Sequence, residues 1–299
     1  MILKGNWVIP IVFFLPFIFP GIPFMSNLFS LNQGRYMMQT SDRYDTQFFG
    51  RWIMKGNSAI RIKGLTKEYS GVKAVKGLNL EIYEGELFAL LGVNGAGKTT
   101  TIRMLTGLSV PTGGSAELFG KDIRKDIDDV KKLVGVSTQD TAVADNLTVE
   151  ENLMFMAGVY FPDESKAKAQ KRVEEVIGTF KLDEVRNKKA KTLSGGWQRK
   201  LSIAMAVIGD PKVVFLDEPT LGLDVLARRE LWKAVEALKK NATIILTTHY
   251  MEEAEALADR IGIMIKGNLV KLGTLEELER DTGKKGLEEV FVTVAEGEE

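Results

Sequence analysis

The sequence predicts an α/β fold built on a parallel sheet covered by helices. From residue 58 onward, short β-type runs alternate with helical stretches, the texture of a sheet with helices packed on it. Val213-Val214-Phe215-Leu216 is a continuous apolar run, as a parallel strand buried on both faces reads. Residues 86–91 also read as a buried strand, which passes through a glycine-rich loop into a helical stretch over residues 99–108.

Composition sets the outer limits. The chain has 299 residues, 44% hydrophobic and 27% charged, which is ordinary for a protein with a real core. Lys+Arg and Asp+Glu both number 40, so no net field attracts nucleic acid or anionic lipid, and no nucleic-acid partner is expected. The absence of cysteine excludes a disulfide framework, thiolate metal sites and thiol catalysis. A single histidine, His249, argues against a histidine metal site.

Residues 1–57 read as a segment apart. No charged residue stands between Lys4 and Arg35, and residues 7–29 are crowded with Ile, Val, Phe and Leu, a length that permits a membrane span. Pro10, Pro16, Pro20 and Pro23 fall inside it and would break a regular helix repeatedly. Three readings stay open: a membrane anchor, a docking segment, or a translated upstream stretch with Met54 as the natural start. If the segment inserts, Arg35, Arg43, Arg51 and Lys55 favour keeping the downstream domain on the cytoplasmic side.

The glycine-rich loop, Gly92-Val93-Asn94-Gly95-Ala96-Gly97-Lys98-Thr99, fits the P-loop pattern in full between a strand and a helix. Glycines let the backbone wrap phosphate oxygens, and the helix start, with Thr100 just inside it, aims N–H groups at them. Lys98 adds a point charge near the β and γ phosphates, and the Thr99 hydroxyl is expected on Mg2+. The run ending in Leu216 continues into Asp217-Glu218-Pro219. Beside a P-loop, Asp217 is expected in the Mg2+ shell and Glu218 as the group that polarises attacking water.

Leu193-Ser194-Gly195-Gly196 opens a helical stretch in which Leu201, Ala204, Met205 and Ile208 keep helical spacing. Ser194 can cap this helix, while Gly195 and Gly196 expose its first N–H groups as a second phosphate surface. This segment resembles the signature motif of the ABC (ATP-binding cassette) family. The other family elements match in order: Tyr69 as the adenine-stacking aromatic, Gln139 as the Q-loop residue, Leu221-Gly222-Leu223-Asp224 as the D-loop and His249 as the switch histidine. Trp197 departs from the family's usual Gln.

The resemblance covers residues 58–294 and implies a P-loop ATPase of the ABC type. It implies an N-terminal antiparallel β part, an ATPase domain over residues 58–299 and an inserted helical subdomain at about residues 140–195. Catalysis would rest on Glu218, His249, Lys98 and Gln139, with Mg2+ held by Thr99, Gln139 and Asp217. In the family the signature of one subunit closes over ATP held by another, so a homodimer or paired cassette with two MgATP is implied. The helical subdomain would dock a permease. Most apolar surface of residues 152–161 is expected in its core, with some of Phe155, Met156, Tyr160 and Phe161 lining the docking groove.

Residues 247–255 and 287–291 look like ATPases of ABC-2 type exporters, the drug-resistance group. No set of apolar spans forms a pathway, so the permease is expected to be a separate polypeptide. The cassette would then sit peripherally on the cytoplasmic face of the membrane. The alternative is a soluble ABC ATPase acting on nucleic acid or ribosomes. No long coiled-coil insertion, tandem cassette or basic cluster supports it.

Overall fold

Alternation of apolar and polar residues builds the first layer. In β1 (Ser58–Tyr69), Ile60 and Ile62 point inward while Arg61 and Lys63 face out. β1 pairs antiparallel with β2 (Val72–Tyr83). β3 (Leu87–Leu91) starts a second sheet, and α1 (Lys98–Leu105) follows it. β4 (Gly113–Leu118) and β5 (Lys121–Asp122) return to the first sheet, whose order is β2-β1-β4-β5. The expected antiparallel β part is therefore present. A computed structural model describes residues 57–297. The segment over residues 1–57 lies outside the described residues, Asn57 excepted, so none of its readings is decided.

The second sheet adds β6 (Val134–Ser137) after α2 (Ile127–Leu133), then β7 (Val213–Asp217), β8 (Thr243–Thr248), β9 (Arg260–Ile265) and β10 (Asn268–Gly273). Its order is β10-β9-β3-β8-β7-β6, parallel except for β10. Alternate residues of each central strand feed two different cores. Leu87, Ala89, Leu91, Val214, Leu216, Ile244 and Leu246 pack toward the helices. Phe88, Leu90, Val213, Phe215 and Ile245 pack toward the antiparallel sheet. Burial on both faces is why these strands are written as unbroken apolar runs. Each fully buried Leu, Ile or Phe contributes about 1.5–3 kcal/mol.

Between β6 and β7 the chain is helical: α3 (Val149–Tyr160), α4 (Lys166–Phe180) and α5 (Gly195–Val207). α6 (Val225–Leu238) and α7 (Met251–Leu257) follow β7 and β8, and α8 (Leu275–Thr282) and α9 (Leu287–Glu296) close the chain. α3 starts on a capping box between Thr148 and Glu151. α4 buries Ala169, Val173, Ile177 and Phe180, one helical stripe. Among the described residues no helix is long and apolar enough to cross a membrane.

One expectation changes. The P-loop helix ends at Leu105, not residue 108, because Gly107 takes a left-handed φ of 75°. The apolar side of α3 is mostly core, as expected: Val149, Leu153 and Ala157 are buried and Met154, Met156 and Tyr160 pack against the same core, while Phe155 at 61% and Val159 at 58% stay exposed. Apolar residues occupy more than one face of this helix, and only one face meets α4 and α5.

An ion network ties α3 to the turn before α5. Arg186 forks onto Glu150 at 2.6 and 2.8 Å and reaches Glu174, while Gln170 also donates to Glu150. The Arg186 hydrogen bonds hold the Glu150 carboxyl down at about 2. A depressed carboxyl stabilises the fold fully above its unfolded value of 4.5 and loses that contribution as pH falls toward 2. With solvent screening discounted, Arg186→Met is expected to cost about 1 kcal/mol at pH 7. Melting curves should show the gap to the parent protein closing as pH falls from 5 toward about 2.

Candidate functional site

Parallel strand order brings the marked residues to one edge. Leu91 pairs with Thr248 and Asp217 with Thr247, while Ser137 pairs with Leu216, so β3, β6, β7 and β8 end together. Gln139, the P-loop, Glu218 and His249 each come just after one of these ends. Crevices at the carboxyl edge of parallel strands are where such sheets bind ligands.

The loop after β3 needs its glycines for space. A Cβ on Gly92 would stand 2.4 Å from the Met264 carbonyl oxygen, and one on Gly97 would stand 2.5 Å from that of Ala74. Gly97 also has a φ of 105° and leads into α1. A cleft of 390 Å³ lies over this loop. Asn94, Gly95, Gly97, Lys98, Thr99 and Thr100 line it, together with Tyr69, Gln139 and Glu218.

Below the cleft, Lys98 Nζ donates to Gly92 O at 2.6 Å and Val93 O at 3.3 Å. It also pairs with Glu218 Oε1 at 3.0 Å, both side chains about 5% exposed. Glu218 Oε2 lies 2.6 Å from His249 Nδ1. A carboxylate only accepts, so that imidazole nitrogen carries the shared hydrogen. Thr99 Oγ1 and Thr247 Oγ1 both donate to Asp217 Oδ1, at 3.1 and 2.5 Å. Glu218 sits in the left-handed region at φ 49°, a conformation that costs on the order of 1 kcal/mol or more for a non-glycine residue. Its N–H is held by both oxygens of Thr247 at 3.1 Å.

At the outer wall Tyr69 is 45% exposed at the end of β1. Lys67 Nζ lies 4.8 Å from its ring centroid and donates to Val110 O at 2.7 Å, and the Tyr69 hydroxyl meets Ser109 Oγ at 3.4 Å. The ring is thus braced by a tethered cation, which does not itself line the cleft.

The signature residues do not line this cleft. Ser194 takes the N-cap backbone position of α5, yet its hydroxyl accepts no helix N–H, contrary to the capping expected of it. Gly195 faces open space, whereas a Cβ on Gly196 would press on Ala227 of α6 at 3.2 Å. Packing therefore explains the second glycine and not the first. Asp224, the D-loop residue, caps α6 by accepting from Leu226 and Ala227 N–H at 2.9 Å. Trp197 lies half-buried with Lys200 Nζ 4.6 Å from its ring centroid, and Lys200 pairs with Glu230 at 2.6 Å.

Sequence reasoning missed three residues here: Thr247, Lys67 and Arg199. Arg199, 4% exposed on α5, donates to Thr138 O at 2.6 Å, Gln139 O at 2.7 Å and Glu218 O at 3.2 Å. No local sequence signal marks Arg199, because its acceptors are backbone carbonyls 19, 60 and 61 residues away.

Residues 75–221 match the family model described as ABC transporter. The chain is 42% identical over 230 residues to the daunorubicin/doxorubicin resistance ATP-binding protein DrrA of Streptomyces peucetius, covering 77% of this chain and 69% of that one. It is 43% identical over 238 residues to ABC transporter A family member 2 of Arabidopsis thaliana, across 74% of this chain but only 24% of the relative. The chain thus spans about a quarter of that plant protein. A dimeric ATP-binding cassette solved in a post-hydrolysis state with ADP and Pi superposes with a TM-score of 0.66 at 27% identity, across 72% of this chain and 98% of that one. Sequence match, fold and cleft agree, and the chain belongs to the ABC transporter family as an ATP-binding, ATP-hydrolysing cassette.

Proposed function

We propose that this cassette drives an exporter by hydrolysing MgATP between two cassettes and passing the resulting motion to a separate permease. The observation that carries the reading is the buried cluster in which Lys98 and His249 hold the two oxygens of Glu218 beneath the nucleotide cleft.

Each side chain then has a task. The P-loop N–H groups and Lys98 bind the phosphates, and Tyr69 stacks the base. An incoming γ-phosphate competes with Glu218 Oε1 for Lys98, freeing that oxygen to accept a proton from the attacking water. His249 Nδ1 keeps the other oxygen fixed meanwhile. Thr99 Oγ1 and Asp217 Oδ1 are hard oxygen donors converging within 3.1 Å, which suits Mg2+, with Gln139 as a further ligand from the rim. When bound, the ion neutralises charge on the transferred phosphoryl group.

The free Ser194 hydroxyl and the open face of Gly195 fit the phosphates of ATP held by a second cassette, since they do not line this chain's own cleft. Exposed Phe155 and Val159 on α3 suit a permease contact, and likeness to DrrA favours export. The subunit would be peripheral on the cytoplasmic face of the membrane.

The bracing of Tyr69 gives a further test. Removing the cation with Lys67→Met is expected to raise the KM for ATP about threefold with kcat unchanged, the size of a cation–π contact of roughly 0.5–1 kcal/mol. For the whole reading, the protein is purified from native membranes in mild detergent and its companions are identified by mass spectrometry. A multi-span protein in equal amount supports an exporter motor; ribosomal or DNA-bound companions without a permease refute it.

A further inference from the structure

We propose that Arg199 is a positioning residue for hydrolysis, one side chain through which the signature helix holds both the Gln139 loop and the peptide of Glu218. The inference rests on Glu218 being the group that activates water.

Three observations carry it. Arg199 is a cation buried to 4% exposure whose guanidinium donates to three carbonyl oxygens, those of Thr138, Gln139 and Glu218. A residue needed only for packing would be less costly as Met or Leu, because an ion loses its hydration on burial.

The acceptors are also functionally placed. Glu218 holds a left-handed φ of 49°, and its peptide groups are fixed on both sides, by Thr247 at the N–H and by Arg199 together with the Leu221 N–H at the carbonyl, each at 3.2 Å. A strained conformation persists only where its surroundings over-determine it. The same guanidinium fixes the Gln139 backbone at the cleft rim. Arg199 lies on α5, whose first residues are Gly195 and Gly196. Displacement of the start of α5 therefore reaches Glu218 and Gln139 through this fork, without any contact between the signature residues and this chain's own cleft. A Lys ammonium keeps the charge but lacks the planar fork that spans adjacent carbonyls.

The test uses the full chain and variants Arg199→Met and Arg199→Lys, alone and combined with Glu218→Gln, in single-turnover MgATP hydrolysis with melting curves as a check on folding. Arg199→Met is expected to lower kcat about 100-fold, the scale of a misplaced catalytic group, with KM changed less than about twofold. Arg199→Lys is expected to fall about 10-fold. On the Glu218→Gln background the Met substitution should cost clearly less than its 100-fold loss in the parent, because the part of its effect that runs through the Glu218 carboxylate is already gone.

A folded Arg199→Met with parental kcat overturns the proposal, as does a loss that multiplies with that of Glu218→Gln. Should Arg199→Met fail to fold, Arg199→Lys decides, and a parental kcat there also overturns it. If Glu218→Gln itself turns over normally, the water-activating role of Glu218 fails, and with it the proposal. An inactive Glu218→Gln beside fully active Arg199 variants refutes the Arg199 role alone.

Discussion

Glu218→Gln is expected to lower ATP turnover by about three orders of magnitude while leaving MgATP binding intact. The amide nearly matches the carboxylate in size, so the cleft keeps its shape. What disappears is the proton acceptor of the proposed mechanism, and general-base catalysis is worth roughly 10²–10⁴-fold. The left-handed backbone and the Thr247 contacts to its N–H remain. Because hydrolysis stops after ATP has bound, the variant should accumulate as an ATP-holding dimer, visible by size-exclusion chromatography. Turnover near the parental rate would remove Glu218 from the mechanism and leave the buried cluster as structure only.

Lys98→Met is expected to act on both binding and stability. Lys98 meets Gly92 O, Val93 O and Glu218 inside the fold. Its removal takes from the proposed phosphate cradle the one side-chain cation that lines it among the described residues, and hydrolysis should fall about 10²–10³-fold. It also leaves the buried Glu218 carboxylate with His249 as its one remaining side-chain partner among the described residues. Breaking a buried pair on one side costs roughly 3–5 kcal/mol, so the melting temperature of the nucleotide-free protein should drop too. Glu218→Gln leaves Lys98 with two backbone acceptors, so its destabilisation should be the smaller. The reverse order would contradict a cluster centred on the Glu218 carboxylate.

The sheet was legible because a strand buried on both faces has no polar side to display, and β7 and β8 lie where their apolar runs predict. The P-loop was legible because its backbone needs are met almost only by glycine: Gly92 and Gly97 leave no room for a Cβ. Less legible was everything set by packing between distant segments. Phe155 and Val159 have the composition of core residues, and only the placing of α4 and α5 decides that they face outward. Ser194 has the composition of a helix cap, yet Asp224 caps its helix and Ser194 does not. Arg199 reads as one more surface cation on a helix, and its burial comes from where β6 and β7 end. Thr247 is unremarkable within its strand until Asp217 and Glu218 are beside it.

Under the proposed function each ATP is hydrolysed between the P-loop of one chain and the signature of another. The decisive experiment mixes two inactive variants, Lys98→Met and Gly195→Asp, and measures ATP turnover of the mixture. Each variant alone spoils every site of its own dimer. A mixed dimer regains one site, which joins the intact P-loop of the Gly195→Asp chain to the intact signature of the Lys98→Met chain. Random pairing of the two chains should therefore restore up to about a quarter of parental activity. A mixture as inactive as its components, or a Gly195→Asp chain that hydrolyses ATP unaided, would contradict a site shared between two cassettes.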